Sequence, residues 1–328
     1  MTIQTWTWQE LCAQANSPRR ARTLLRDGAV KRVLHGVYAG SEHPDGPAVR
    51  LAAVQRLLPQ HAVLSGRAAL WILGIDVLPA DEVLDICLPR GVTVRPKPGL
   101  RHRSALVPDS EVHDIGDLLV VTAARVVVDS MRTESLVEAV ALGDAALRHG
   151  ATSLELIAAS LDRAAHLRGV IAARAALGHL EPRSESLMES RLRMTCVLGD
   201  LPRPEAQVDF YDQDGRHLGR ADLHLDGVVL EYDGRVAHQD SEVFGHDRRR
   251  HNGLSDGGLD VRRFSSQDYY LRPRSLIVSA VRRALSVVRR EGITARRGPD
   301  TLRPGRLTPP ATRADSSADD AALDHAAA

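Results

Sequence analysis

The residues best suited to chemistry lie in one stretch, Arg220-Ala221-Asp222-Leu223-His224-Leu225-Asp226-Gly227-Val228-Val229-Leu230-Glu231-Tyr232-Asp233-Gly234. Asp-Gly between two alternating runs is the signature of a two-residue β-hairpin turn. With Asp226-Gly227 at the tip, Leu225 faces Val228, Asp222 faces Glu231 and Arg220 faces Asp233. Period-two alternation then sorts the side chains. Ala221, Leu223, Leu225, Val228, Leu230 and Tyr232 make an apolar face; Arg220, Asp222, His224, Val229, Glu231 and Asp233 make a polar one. Opposed side chains on such a pair have β-carbons about 4.5–5.5 Å apart, and like charges there are destabilising. A divalent cation offsets that repulsion and brings chemistry with it, because Mg2+ takes oxygen ligands from one or two carboxylates, phosphate and water. Arg220 offsets it without chemistry, so the same pattern also fits an exposed, salt-bridged hairpin face. On repulsion alone, neutralising Asp222 or Glu231 should leave stability level or raise it.

Several elements must position this hairpin. Upstream, residues 184–198 have helical character and carry Glu185, Glu189, Arg191 and Arg193; Ser186 and Glu189 fit a capping box, which gives Glu189 a structural role as well. A strand over 207–211 turns at Asp214-Gly215 into the acidic strand. After the hairpin come His238, a helix with Asp247 and Arg250, a strand over 260–264 and a final helix over 267–289. Arg250 suits either a phosphate or an i, i+3 pair with Asp247. His246 and His251 read as helix-surface residues. The order is helix, three-stranded meander, helix, strand, helix.

The N-terminus carries a second pattern. Thr7 and Glu10 fit a capping box, Ser17 caps a second helix with Pro18 at its first position, and Gly28 ends it. A short hairpin comes next, around His35-Gly36. Arg19, Arg20, Arg22 and Arg26 on the second helix, with Lys31 and Arg32 on the hairpin, suit a helix in a major groove and a wing on phosphate. A solvated basic face on a small interaction domain is the alternative. Between the two patterns lies a mixed region with helices at 48–58, 68–73, 123–131, 135–148 and 153–161 and strands at 83–88, 100–102 and 118–121. No catalytic constellation shows there: Asp129, Asp144 and His149 read as caps or surface pairs. Arg90, Arg95, Lys97, Arg101 and Arg103 form a basic strip that fits a phosphate backbone or a solvated loop.

Composition bounds these readings. The 328 residues predict two or three domains. A formal net charge of +1 excludes a whole-chain basic field, so any nucleic-acid signal is local. Lys31 and Lys97 are the two lysines, and none lies in the C-terminal half. Aromatics are 3%, which leaves the cores to Leu, Val, Ile and Ala. Cys12, Cys87 and Cys196 are too scattered for a disulfide framework or a zinc pattern. No apolar run approaches the roughly 20 residues that span a bilayer, and no basic-then-apolar segment opens the chain. The expectation is a soluble, cytoplasmic protein without membrane contact. Residues 291–328, rich in Ala, Asp, Arg, Pro, Ser and Thr, are expected to be a disordered tail.

Two resemblances add to this. Gly28-Ala29-Val30-Lys31-Arg32-Val33-Leu34-His35-Gly36-Val37-Tyr38 resembles the N-terminal domain of AbiEi-type antitoxins, whose winged helix binds promoter DNA and represses its own operon. The middle region is similar, through scattered residues, to the segment after that domain in such proteins. In the C-terminal half, Glu189-Ser190-Arg191-Leu192-Arg193, Leu201-Pro202-Arg203-Pro204, Gln207, Arg220-Ala221-Asp222, Glu231-Tyr232-Asp233-Gly234, His238, Asp247, Arg250 and Val261-Arg262-Arg263 together resemble the Vsr-like uncharacterised nuclease domain, a branch of the PD-(D/E)XK superfamily.

The second resemblance implies a restriction-endonuclease-like core in which Glu189, Asp222 and Glu231 take acidic positions and His238 that of a catalytic-type histidine. Asp233 stands where the superfamily has lysine; the branch commonly has Asp-Gly there. The expected architecture is a multidomain α+β and α/β chain. It has a winged helix over 1–45, a mixed α/β domain over 46–165, an endonuclease-like domain over 183–290 and the tail. Two functions are expected. One is a DNA endonuclease using Mg2+ or Mn2+ on Asp222 and Glu231, with Glu189, Asp233 and His238 in the site. The other is a non-catalytic, antitoxin-like regulator that binds operator DNA and a cognate toxin.

Overall fold

The computed structural model describes residues 3–59, 61–78, 83–89, 92, 99–104, 107–233, 252–291 and 293–298. The chain is mixed α and β, with three separate sheets. Among the described residues, no helix is long and apolar enough to cross a membrane.

The N-terminal region runs β1 (Thr5–Thr7), α1 (Trp8–Gln14), α2 (Pro18–Arg26), β2 (Val30–Leu34) and β3 (Val37–Gly40). Local chemistry sets its boundaries. The Thr7 hydroxyl accepts from Glu10 N, and the Glu10 carboxylate accepts from Thr7 N in return. Ser17 accepts from Arg20 N, with Pro18 at the first helical position. Gly28 sits just past the helix in the left-handed region, at φ 73°. β1, which the sequence does not announce, pairs antiparallel with β3 and makes a three-stranded sheet in the order β1-β3-β2.

The middle region contains α3 (Pro47–Gln55), β4 (Val63–Ser65), α4 (Gly66–Ile72), β5 (Leu84–Leu88), β6 (Leu100–Ser104), β7 (Val112–Ile115), β8 (Leu118–Val121), α5 (Ala123–Thr133), α6 (Leu136–Arg148), α7 (Leu154–Arg163) and α8 (Val170–Leu177). Its strands form a mixed sheet in the order β6-β5-β4-β8-β7. β4, β7 and α8 go beyond the elements expected from the sequence, where short or alanine-rich segments carry little periodic signal. One core joins Leu64, Ile86 and Val120 of the sheet to Val127, Val140, Ile157 and Ala173 of the helices. It also takes Leu34 and Val37 from the N-terminal hairpin and Met194 from the C-terminal region.

The C-terminal region consists of α9 (Leu187–Leu198), β9 (Glu205–Tyr211), β10 (His217–Leu225), β11 (Val228–Asp233), a helical stretch at 252–256, β12 (Asp260–Ser265), α10 (Ser266–Tyr270), α11 (Ser275–Glu291) and β13 (Arg296–Arg297). The sheet order is β12-β11-β10-β9-β13. All neighbours are antiparallel except β11 and β12, which run parallel. One face packs on Leu192 and Cys196 of α9 and on Ile277, Val281 and Leu285 of α11. The other packs on Leu254 and Leu259.

Two expectations are corrected here. The single final helix is two helices, because Pro273 lacks an N–H to donate and disfavours helix at the residue before it. The tail does not begin at 291: Arg296 and Arg297 pair with Tyr211 and Phe210 of β9, and Arg297 makes an ion pair with Glu205. A two-residue strand on a sheet edge leaves no periodicity to read. Residues 299–328 lie outside the described residues.

Candidate functional site

The hairpin forms in the expected register. Asp226 and Gly227 sit at φ 44° and 86°, the paired positive values of a type I′ turn. Leu225 pairs with Val228, His224 with Val229 and Leu223 with Leu230. The ladder ends at Leu223–Leu230, and Asp222 and Glu231 are the next residues along β10 and β11. On its other side β10 pairs with β9, and Asp222 falls opposite Gln207, between the pairs Ala221–Val208 and Leu223–Ala206. On the far side of β11, Glu231 is in register with Arg263 of the parallel strand β12. Gln207, Asp222, Glu231 and Arg263 therefore form a row across four strands.

Glu189 joins this row from α9. Its amide N–H donates to the capping Ser186 hydroxyl at 3.1 Å. Its carboxylate accepts from Glu185 N at 2.8 Å and from the Gln207 side-chain amide at 3.0 Å. Glu189 is buried, and burial raises its carboxyl above the ordinary glutamate range against those hydrogen bonds. Glu231 is buried too, at 3% exposure, and accepts from Arg263 Nε at 2.9 Å. Asp222 is half-buried, and Asp233 is exposed where β11 ends. Among the described residues, no three His, Cys, Asp or Glu side chains stand together as a metal cage. His238, Asp247, Arg250, His246 and His251 lie outside the described residues.

The strands break their alternation at this row. Gln207 has φ 55°, a left-handed conformation uncommon for a residue with a side chain and more so inside a strand. On β9, Ala206 packs with the α9–α11 face while Val208 packs with the opposite one. On β10, Leu223 and Ala221 divide in the same way. The expected apolar face thus loses Ala221, and alternation alone no longer assigns a side to Asp222. The expected polar face is corrected as well. His224 and Val229 are buried, because Leu254 and Leu259 cover that side of the sheet. His224 stacks edge-on against Phe210, and its Nε2 accepts from Gly227 N at 2.9 Å. Burial lowers its pKa to about 4, so it is a neutral clamp on the turn.

The arginine partner is also different. Arg220 does not serve the hairpin carboxylates: it makes a two-point ion pair with Asp209, its direct neighbour on β9, at 3.1 and 3.0 Å. Arg263 occupies that role for Glu231. Its place in Val261-Arg262-Arg263 is visible in the sequence, but the parallel pairing that brings it to Glu231 is a long-range contact.

The motif around Glu189 is divided between two tasks. Ser190 and Arg193, one and four residues on, face α6 and donate to Asp144, each at 2.7 Å. Glu181 N also donates to Asp144. Asp144 is therefore a buried ion pair and not a cap or surface pair, and burial pushes its carboxyl up to about 6 against the pull of Arg193. Arg191 grips Glu138 of α6 at two points and donates to the Tyr270 hydroxyl.

In the N-terminal region, Arg19, Arg20, Arg22, Arg26 and Arg32 are all exposed. Arg22 lies over the Trp8 ring, and Arg26 pairs with its neighbour Asp27. Lys31 is half-buried, and its Nζ donates to His43 O at 2.6 Å and Asp45 at 2.7 Å. In the middle strip, Arg101 makes a two-point pair with buried Asp85.

No family model matches the chain. Two uncharacterised proteins of Mycobacterium tuberculosis, from two strains, are each 29% identical to it over 239 residues, 72% of this chain and 86% of the relative.

Proposed function

We propose that this chain is a DNA-binding protein whose C-terminal region is a metal-dependent DNA endonuclease. The observation that carries the reading is Gln207. A glutamine held left-handed in mid-strand costs conformational energy, and such strain clusters at functional sites. Here it falls between Asp222, its cross-strand neighbour, and Glu189, its hydrogen-bond partner.

The donor set suits a hard divalent cation, since it is carboxylate oxygen throughout. Asp222 and Glu231 would hold Mg2+ or Mn2+, which supplies polarisation of the scissile phosphate and activation of water. Glu189, whose carboxyl burial raises above the ordinary glutamate range, is suited to accept a proton. The N-terminal region, two helices and then a hairpin, is read as a winged helix that brings duplex DNA to the protein.

The test is cleavage of a mixed set of single- and double-stranded DNA substrates with Mg2+ and with Mn2+. Asp222→Asn and Glu231→Gln should each abolish metal-dependent cleavage. A wild type that cuts none of the substrates overturns the reading.

One observation favours the second function, a non-catalytic regulator that binds operator DNA and a toxin partner. Arg263 already offsets the Glu231 charge, so the row does not require a cation for electrostatic balance. Calorimetric titration with Mn2+ separates the two, because the regulator predicts no binding that Asp222→Asn removes.

A further inference from the structure

We propose that Arg263, held on Glu231, is the fixed cation of this site and binds the DNA phosphate. The proposal rests on the nuclease reading and names a residue for it.

Among the described residues, four other arginines of this region are committed. Arg220 is held by Asp209, Arg191 by Glu138, Arg193 by Asp144 and Arg262 by Asp260. Arg263 differs in how it is held. Its Nε donates to buried Glu231, and among the described residues neither terminal nitrogen has a hydrogen-bond partner. Its side chain is 41% exposed while that of Glu231 is 4% exposed. Glu231 thus anchors the near side of the guanidinium and leaves the outer edge toward solvent. A planar guanidinium fixed in this way is preorganised for two-point contact with phosphate oxygens. The parallel register fixes its position, because Arg263 is the direct neighbour of Glu231 on the adjoining strand of the sheet.

The identity of the cation has a chemical consequence. An arginine remains protonated at every pH a protein tolerates, so it cannot remove a proton from water. Among the described residues of this site, proton acceptance then falls to a carboxylate, and Arg263 contributes charge and orientation alone.

The test uses the full-length protein and a fluorescein-labelled duplex. Binding is measured without divalent cation over a series of KCl concentrations. Each neutralised phosphate contributes a slope of about −0.9 in log K against log salt. Arg263→Gln should flatten the slope by about that amount, and Arg263→Lys should restore it. A merely structural role, neutralising Glu231, predicts a lower Tm for Arg263→Gln with the slope unchanged, and that result overturns the proposal. The variant Glu231→Gln/Arg263→Gln keeps an amide pair in place of the ion pair. It should show the same flattened slope, which guards against misfolding of the single variant.

In the cleavage assay, Arg263→Gln should lower kcat by about a hundredfold or more, and Arg263→Lys should recover part of it. A wild type that does not cleave defeats the nuclease reading, whereas the salt slope still decides whether Arg263 meets phosphate.

Discussion

Arg193 of α9 and Asp144 of α6 form an ion pair at 2.7 Å with both side chains out of solvent, three helical positions beyond the Ser190 hydroxyl that meets the same carboxylate. The helix α9 also carries Glu189, so the contact between the middle and C-terminal regions and one wall of the candidate site share a single rigid element. Asp144→Asn keeps the shape and leaves the Arg193 charge buried without its counter-charge. The expected loss is about 3–5 kcal/mol in urea unfolding. Asp144→Leu/Arg193→Met removes both charges and should lose less than Asp144→Asn. A double variant as unstable as the single would show that packing, and not charge, dominates this contact.

Neutralising the hairpin acids has a different expected outcome from the one repulsion alone suggests. Glu231 is buried beside Arg263, so Glu231→Gln gives up a charged hydrogen bond and should lower apo stability by about 1 kcal/mol. If Mg2+ binds at Asp222 and Glu231, saturating metal stabilises the wild type by RT ln(1 + [L]/Kd), and both Asp222→Asn and Glu231→Gln lose that increment. Differential scanning fluorimetry with and without Mg2+ or Mn2+ measures both effects. A wild-type Tm indifferent to either metal argues for the regulator.

His224 predicts an acid-sensitive turn. Its folded pKa of about 4 lies below the ordinary histidine value of 6.5. As pH falls through 6.5 the unfolded chain takes up a proton that the folded chain refuses, so stability declines until about pH 4 and then levels off. The difference corresponds to about 3 kcal/mol across that window. Comparing urea midpoints of wild type and His224→Gln at pH 7 and pH 4.5 isolates it, since other titrating groups are common to both. Parallel losses in the two proteins would remove His224 as the cause.

DNA binding by the N-terminal region predicts an uneven mutational map. Arg19, Arg20 and Arg26 are exposed on α2, so replacing all three with Ala should weaken duplex binding and flatten the salt slope by up to about 0.9 for each phosphate no longer neutralised. Lys31 is tied to His43 O and Asp45, so Lys31→Met should change the slope less than any of these arginines and act mainly on stability. Unchanged affinity in the arginine triple variant would move the DNA contact elsewhere.

Local rules carried much of this fold. The Asp226-Gly227 turn, the Thr7–Glu10 and Ser17 caps, Pro18 and Gly28 each act within a few residues, and the structure has the hairpin register and the first two helices that they require. The candidate acids were legible for the same reason, because a two-residue turn leaves one pairing open to Asp222 and Glu231. Tertiary structure decided what surrounds them. Arg263 reaches Glu231 through a parallel strand whose partner no local pattern announces. Val229 and His224 became core because residues of the 252–259 stretch cover their side of the sheet. Asp144 became a buried ion pair because α6 packs on α9. Turn and cap preferences are energies of neighbouring backbone groups, whereas burial and charge pairing depend on which distant surfaces meet.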